Sequence, residues 1–331
     1  MRVGMAEALH DARSTRPSRV RVAAAWPALA AAIGLAAGCA GGQEKLGRDS
    51  GPSPDADVRP GGDASLEAGT AFAGTLVVGT WNVEQFPEAS STVRDVAAAI
   101  EDMGLDVVAM QEVADTAGFD ALVAALPGWD GVVAAQGDGW IRNALLWRTS
   151  KVTARDFELL FPTDPSAFPR PPLKARLVAG DGAGGVFDFV IVVVHLKALG
   201  DVESRGRRRV AVEALHSWVA AQVAAGPEDD FIVLGDWNDE LTDAPAENVF
   251  MPFLNEPRAF TFLTLPLEQA GGSCYVPFDS FIAHVLLTNG ALDEYGATGD
   301  TRVEPLDDVL PRYESTISDH RPVVATFRGS P

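Results

Sequence analysis

The sequence predicts an α/β domain over residues 73–329, and three observations predict it. Short apolar runs recur between stretches of helical period. Several of those runs end in the same kind of polar residue: Asn82, Glu112, His195, Asp236. A glycine-rich stretch, 180–185, reads as the turn of a hairpin, which implies antiparallel pairing within the domain. No internal repeat is evident.

Taken in order, residues 75–83 read as a strand with Asn82 near its tip. A helix follows from about Ser91, with Val93, Val96, Ala97 and Ile100 on one face. Asp106 opens a strand, Val107-Val108-Ala109-Met110, that ends in Gln111-Glu112. A second helix covers about 119–126, and Asn143 to Arg148 form another apolar strand. A proline-rich loop, 161–172, closes with Arg170-Pro171-Pro172. The hairpin strands 174–179 and 186–194 lead to His195-Leu196-Lys197. A helix over 203 to about 224 begins with Arg205, Arg207, Arg208 and Arg209. That row reads as a solvated face or as a basic patch, since cations at a helix start oppose the dipole.

Residues 231–234 then form a buried strand that stops at Gly235-Asp236-Trp237-Asn238-Asp239. In an extended segment Asp236 and Asn238 leave the same face. Val276 to Ile282 reads as a strand carrying Asp279 inward. The chain closes with Ser318-Asp319-His320 and a last strand, 323–327. Trp237 and Tyr275 suit either core packing or stacking on a base or sugar.

Residues 1–39 read as an export signal. Arg13, Arg16, Arg19 and Arg21 flank an apolar run from Val22 to Ala37. Leu35-Ala36-Ala37-Gly38-Cys39 resembles a bacterial lipobox, with Ala36 where a bulkier aliphatic is usual, so lipidation at Cys39 is expected; simple cleavage nearby is the alternative. Ala40 after the cysteine fits outer-membrane sorting. Residues 40–72, rich in Gly, Pro and acids, read as a disordered tether.

Of 331 residues 47% are hydrophobic, ample for a core, and the formal charge is −20. Such acidity argues against sequence-blind adhesion to nucleic acid, which needs a basic footprint. It leaves room for phosphate chemistry at a metal, because a bound divalent ion reverses the local field. The two cysteines, Cys39 and Cys274, are too few for a cysteine zinc site, and Cys274 reads as an inert thiol.

Strand ends that converge on one edge form a single pocket. Its carboxylates, carboxamides and imidazoles suit Mg²⁺ or Mn²⁺ better than zinc. Thr80-Trp81-Asn82, Gln111-Glu112, His195-Leu196-Lys197, Gly235-Asp236-Trp237-Asn238 and Ser318-Asp319-His320 together resemble the signature of the endonuclease/exonuclease/phosphatase superfamily, in family order. That resemblance implies a four-layer αββα sandwich of the DNase I type and metal-assisted hydrolysis of phosphate esters. It implies Glu112 as the main metal ligand, with Asn82 and Asp319 beside it. Asp236 would orient or deprotonate the attacking water, and Asn238 would hold that water or a phosphate oxygen. His320 would bond the phosphate, oriented by Asp279. His195 would donate to the phosphate or protonate the leaving oxygen. Arg170 and Lys197 would lie near the phosphate.

The expected activity is a nuclease or phosphodiesterase acting on DNA or RNA outside the cytoplasm. The alternatives are a phosphatase or phospholipase of the same superfamily, and a catalytically silent binding domain.

Overall fold

The computed structural model describes residues 70–135, 140–226 and 228–329. The expected export signal and nearly all of the expected tether lie outside these residues. The domain starts earlier than its composition indicates. Strand β1 (Thr70–Ala71) already pairs with the sheet, and Phe72 is part of the core.

The remaining strands are β2 (Thr75–Phe86), β3 (Val107–Val113), β4 (Trp129–Val133), β5 (Arg142–Arg148), β6 (Val152–Leu159), β7 (Leu173–Gly180), β8 (Gly185–His195), β9 (Phe231–Asp236), β10 (Phe260–Phe262), β11 (Ala283–Thr288), β12 (Asp300–Val303) and β13 (Val323–Arg328). The main helices are α1 (Thr92–Asp102), α2 (Thr116–Ala125) and α3 (Val202–Ala225). One sheet runs β12-β13-β2-β3-β5-β4 and the other β10-β11-β9-β8-β7-β6, with β1 beside β8. The pairs β2·β3 and β8·β9 are parallel. Each is joined by a helical crossover, α1 and α3 respectively, as a parallel pair requires. The β7–β8 hairpin is antiparallel, from Leu173 opposite Val193 to Gly180 opposite Val186.

Two-residue alternation sorts these strands into layers. Leu76, Val78, Val107, Ala109, Ile191, Val193, Ile232 and Leu234 fill the space between the sheets. Their neighbours Trp81, Val83, Val108 and Met110 pack with α1 and α2. Val192, Val194, Val233 and Trp237 pack with α3 and a phenylalanine cluster. Helix, sheet, sheet, helix is the four-layer sandwich. Trp237 is thus a core residue.

Two expectations change. The strand expected at Val276 to Ile282 is a single 3-10 turn, Val276–Phe278, followed by Asp279 with φ 52°. The real strand is β11, which pairs with β9. The arginine row on α3 is neither a free patch nor a solvated face. Arg207 donates to the Ser166 and Pro165 carbonyls, Arg209 to Glu247 O, and Arg205 pairs with Glu247. Arg208 is buried on the face that carries Ser204, Ala211, Val212 and Leu215. Among the described residues no helix is long and apolar enough to cross a membrane.

Candidate active site

The alternation that builds the interior also builds the site. Continuing the inner face of each strand by two residues leads from Val78 to Thr80 and Asn82, from Ala109 to Gln111, from Val193 to His195, and from Leu234 to Asp236. The apolar interlayer therefore ends in a polar one. Register closes the set: His195 stands opposite Asp236, and Asn82 opposite Gln111. Beyond Asn82 the β2 ladder is irregular, and Glu84, Gln85 and Glu112 all take positive φ. Irregularities of this kind re-aim side chains at the rim of a sheet.

A cleft of about 770 Å³ opens there. Glu84, Glu112, His195, Asp236, Asn238, Asp319 and His320 line it. Asn82 Nδ2 donates to Asp236 Oδ2 at 2.9 Å and to Glu112 Oε1 at 3.1 Å. Its oxygen accepts the Glu84 N–H at 3.1 Å. Asn82, expected as a metal ligand, is placed here as a tie between two acids. His195 Nε2 lies 3.5 Å from Asp236 Oδ2 and 3.8 Å from Glu112 Oε1. His320 Nε2 lies 3.9 Å from the same Asp236 oxygen and 3.7 Å from Asp319 Oδ1. Asn238, with φ 56°, donates its N–H to Asp236 Oδ1 at 3.0 Å.

Gly235 makes this approach possible. Its φ is 150°, and a Cβ there would stand 1.9 Å from Val194 O. Any other residue would push β9 away from β8.

His320 is held through its backbone. Its carbonyl accepts from Trp81 Nε1 at 3.1 Å and from the Tyr313 hydroxyl, and its N–H donates to Ser318 Oγ at 2.9 Å. The expected Asp279 partner is absent. Asp279 is exposed at the end of the 3-10 turn, and His320 Nδ1 has no hydrogen-bond partner among the described residues. The left-handed turn at Asp279 is what carries its carboxylate outward. His195 Nδ1 is likewise unpartnered.

Arg170 and Lys197 are not among the residues lining the cleft. Arg170 is buried, donates to Leu196 O at 2.5 Å, and bears on His195 and Asp236 by its charge. The Lys197 carbonyl accepts from Arg208, which also donates to Leu199 O and pairs with Asp239 at 2.8 Å. Arg208 thus clamps the loop after β8 to the loop after β9. This clamp, and Glu84, lie outside the sequence expectations. The signal for Arg208 was its place on the buried stripe of α3. Glu84 owes its direction to the irregular end of β2, which carries no sequence mark.

Burial sets the protonation pattern. It raises Asp236 to about 6, against the Asn82 and Asn238 hydrogen bonds and the Arg170 charge. It raises Glu84 to about 7, with Asp319, Glu88 and Glu112 adding to the effect. Asp319 is raised too, by burial and partly offset by His320. Both imidazoles are pushed down by burial, His195 well below the usual range. Cys274 is fully buried, its sulfur accepting from Ile282 and Ala283, and its thiol is raised to about 12. It is inert.

Glu84, Glu112 and Asp319 crowd negative charge that the nearby side chains do not neutralise, and their donors are all oxygen. Oxygen donors are the kind a hard divalent cation takes. A buried carboxylate beside two neutral imidazoles, facing further acids across one cleft, is a set of groups able to hold an ion and to move a proton.

Comparison with known proteins agrees. The profile of the Endonuclease/Exonuclease/phosphatase family matches residues 79–320, and the chain belongs to that family. It is a hydrolase of phosphate ester bonds, in a family whose enzymes generally use divalent metals. No curated protein matches it in sequence. Solved structures of similar fold include the 3′ phosphatase NExo of Neisseria bound to product DNA hairpin, at 18% identity over 76% of this chain and 99% of that one, TM-score 0.56. A mannosyl-6-phosphatase of Bacteroides thetaiotaomicron matches at 16% identity, 76% and 98% coverage, TM-score 0.54. TDP2 of Caenorhabditis elegans matches at 14%, 78% and 75%, TM-score 0.56.

Proposed function

We propose that this domain is a Mg²⁺- or Mn²⁺-dependent phosphodiesterase that cuts nucleic-acid or nucleotide esters outside the cytoplasm. One observation carries the reading: His195 Nε2 and His320 Nε2 both lie within 4 Å of the same Asp236 carboxylate oxygen, beside a half-open set of acids. Glu112, Asp319 and Glu84 would hold the ion, which when bound supplies positive charge against the charge that builds on phosphorus oxygens. Asp236, raised to about 6, is matched to taking a proton from water near neutral pH. With neither Nδ1 partnered and both Nε2 atoms facing carboxylates, the tautomer protonated at Nε2 is favoured on each ring. Each imidazole then offers an N–H to a phosphate or leaving oxygen. Asn238 and the Asn82 amide keep Asp236 aimed.

A second reading is a phosphatase or phospholipase acting on a compact ester. The charge of the cleft favours it. Glu84, Glu112, Asp236, Asp239, Glu240, Asp243 and Asp319 line the walls, while Arg205 and Arg208 are paired with Glu247 and Asp239. A long polyanion finds little to follow there. Two of the structurally similar proteins are named as phosphatases, for a 3′ phosphate and for a mannosyl 6-phosphate.

The test is turnover of plasmid DNA, bis-p-nitrophenyl phosphate and sphingomyelin by the purified protein with Mg²⁺ or with EDTA. Asp236→Ala and His320→Ala serve as controls. Metal-dependent nicking lost in both variants supports the nuclease reading. Lipid turnover with intact plasmid replaces it with the phospholipase reading. Export and lipid attachment at Cys39 rest on the composition of the leader. Palmitate labelling of cells expressing the wild type and Cys39→Ala would test them, and equal labelling would sink the anchor.

A further inference from the structure

Above its acidic floor the cleft has an apolar rim that the chemistry so far leaves unused. Phe278 is 77% exposed and Leu199 67% exposed, and both line the cleft. Large apolar side chains exposed at the mouth of a cleft offer a ligand contact area that water does not. Neither is a loose surface residue. The turn that carries Phe278 is closed by Cys274 and Tyr275 N–H groups donating to Ser280 O at 3.0 and 2.9 Å. It is tied to the segment that carries Asp319 and His320 by Val276 N–H to Asp319 O at 3.0 Å. Leu199 has φ 83°, a region a bulky residue adopts only under constraint, and Arg208 supplies that constraint by donating to its carbonyl.

The rings form a ladder outward from the catalytic imidazole. His320 and Tyr275 centroids are 4.7 Å apart at 40°, and Tyr275 and Phe278 are 5.8 Å apart at 33°. Around them the walls are carboxylate, so a second phosphate next to the scissile one would be repelled. An uncharged planar ring would not.

We infer that Phe278, with Tyr275 behind it and Leu199 on the wall of the same cleft, forms a stacking subsite for the nucleobase of a short nucleotide ester. This inference rests on the phosphoesterase reading above and narrows its substrate to one bearing a flat, uncharged group beside a single scissile phosphate. Base stacking on an aromatic ring tolerates any base, so the subsite selects for the presence of a base rather than its sequence.

Two substrates of equal charge isolate the effect: a thymidine dinucleotide, and the same molecule with one base replaced by hydrogen. Kinetics of the full protein with Mg²⁺ are expected to favour the base-bearing substrate by about tenfold or more in kcat/KM. Phe278→Ala should erase that preference through KM, and Phe278→Trp should keep it. Equal turnover of the two substrates by the wild type overturns the inference, as does an equal loss on both in Phe278→Ala. Turnover of bis-p-nitrophenyl phosphate with both dinucleotides intact overturns it while sparing the phosphoesterase reading. Inertness toward every phosphate ester, with Mg²⁺ and Mn²⁺, removes both.

Discussion

The two sheets bring different environments to the same cleft. On one side, Glu112 and Asp319 keep 21% and 23% of their side chains exposed. On the other, Asp236 and His195 keep 2% and 3%. The first side is open to solvent. The second is dry, and there desolvation rather than charge pairing dominates the affinity for protons. One interlayer, carried two residues past its apolar stripe, thus yields a solvent-facing acidic wall and a dry wall.

Substitutions on the two walls should therefore fail differently. Asp236→Asn should lower kcat by a factor on the order of 10² to 10⁴ while leaving the Mg²⁺ affinity near wild type. Glu112→Gln should lose activity by a factor on the order of 10² or more and weaken metal binding as well. Calorimetric Mg²⁺ titration of both variants separates the walls, and an equal loss of metal affinity would erase the distinction. Gly235→Ala strikes the backbone of the dry wall. The clash with Val194 O should cost at least about 3 kcal/mol in urea unfolding, with metal or without.

The dry wall should also make stability depend on pH. Asp236 is raised from 3.8 to about 6, so between those values the folded protein holds a proton that the unfolded chain releases. Stability from this group therefore falls as pH rises through that window, and the full penalty remains above it. In EDTA, wild type should lose on the order of 2 to 3 kcal/mol relative to Asp236→Asn between pH 4 and pH 7. A flat difference would mean that the wall is wetter than its burial indicates. The smallest effect is expected at Ser318. Its hydroxyl donates to Asn82 O at 2.6 Å and accepts from His320 N–H. Ser318→Ala should cost about 1 to 3 kcal/mol and touch kcat only through the placement of His320.

How much of this was legible depended on how local the cause was. The tips of β2, β3, β8 and β9 could be read because each ends an apolar run, and the polar residue that follows inherits its face. Strands β4, β6, β10 and β12 could not, being short or mixed in polarity at or near the edges of their sheets, where pairing rather than composition defines them. Ala283 to Thr288 carried a buried-strand pattern, yet the acid in Phe278-Asp279-Ser280-Phe281 drew the expected strand to the wrong segment. The direction of an acid after an irregular strand end, as at Glu84, follows from tertiary register. The bond from Trp81 to the His320 carbonyl is likewise a long-range fact with no local trace.

The short β1 pairing has a practical meaning. It joins Gly185 and Val186 at the start of β8, whereas His195 closes that strand nine residues on, about 30 Å away. The first described strand thus sits at one pole and the candidate site at the other. A tag, a support or a fusion partner coupled at that end would therefore attach away from the mouth of the cleft. The same geometry gives the N-terminal side of this domain the character of a handle.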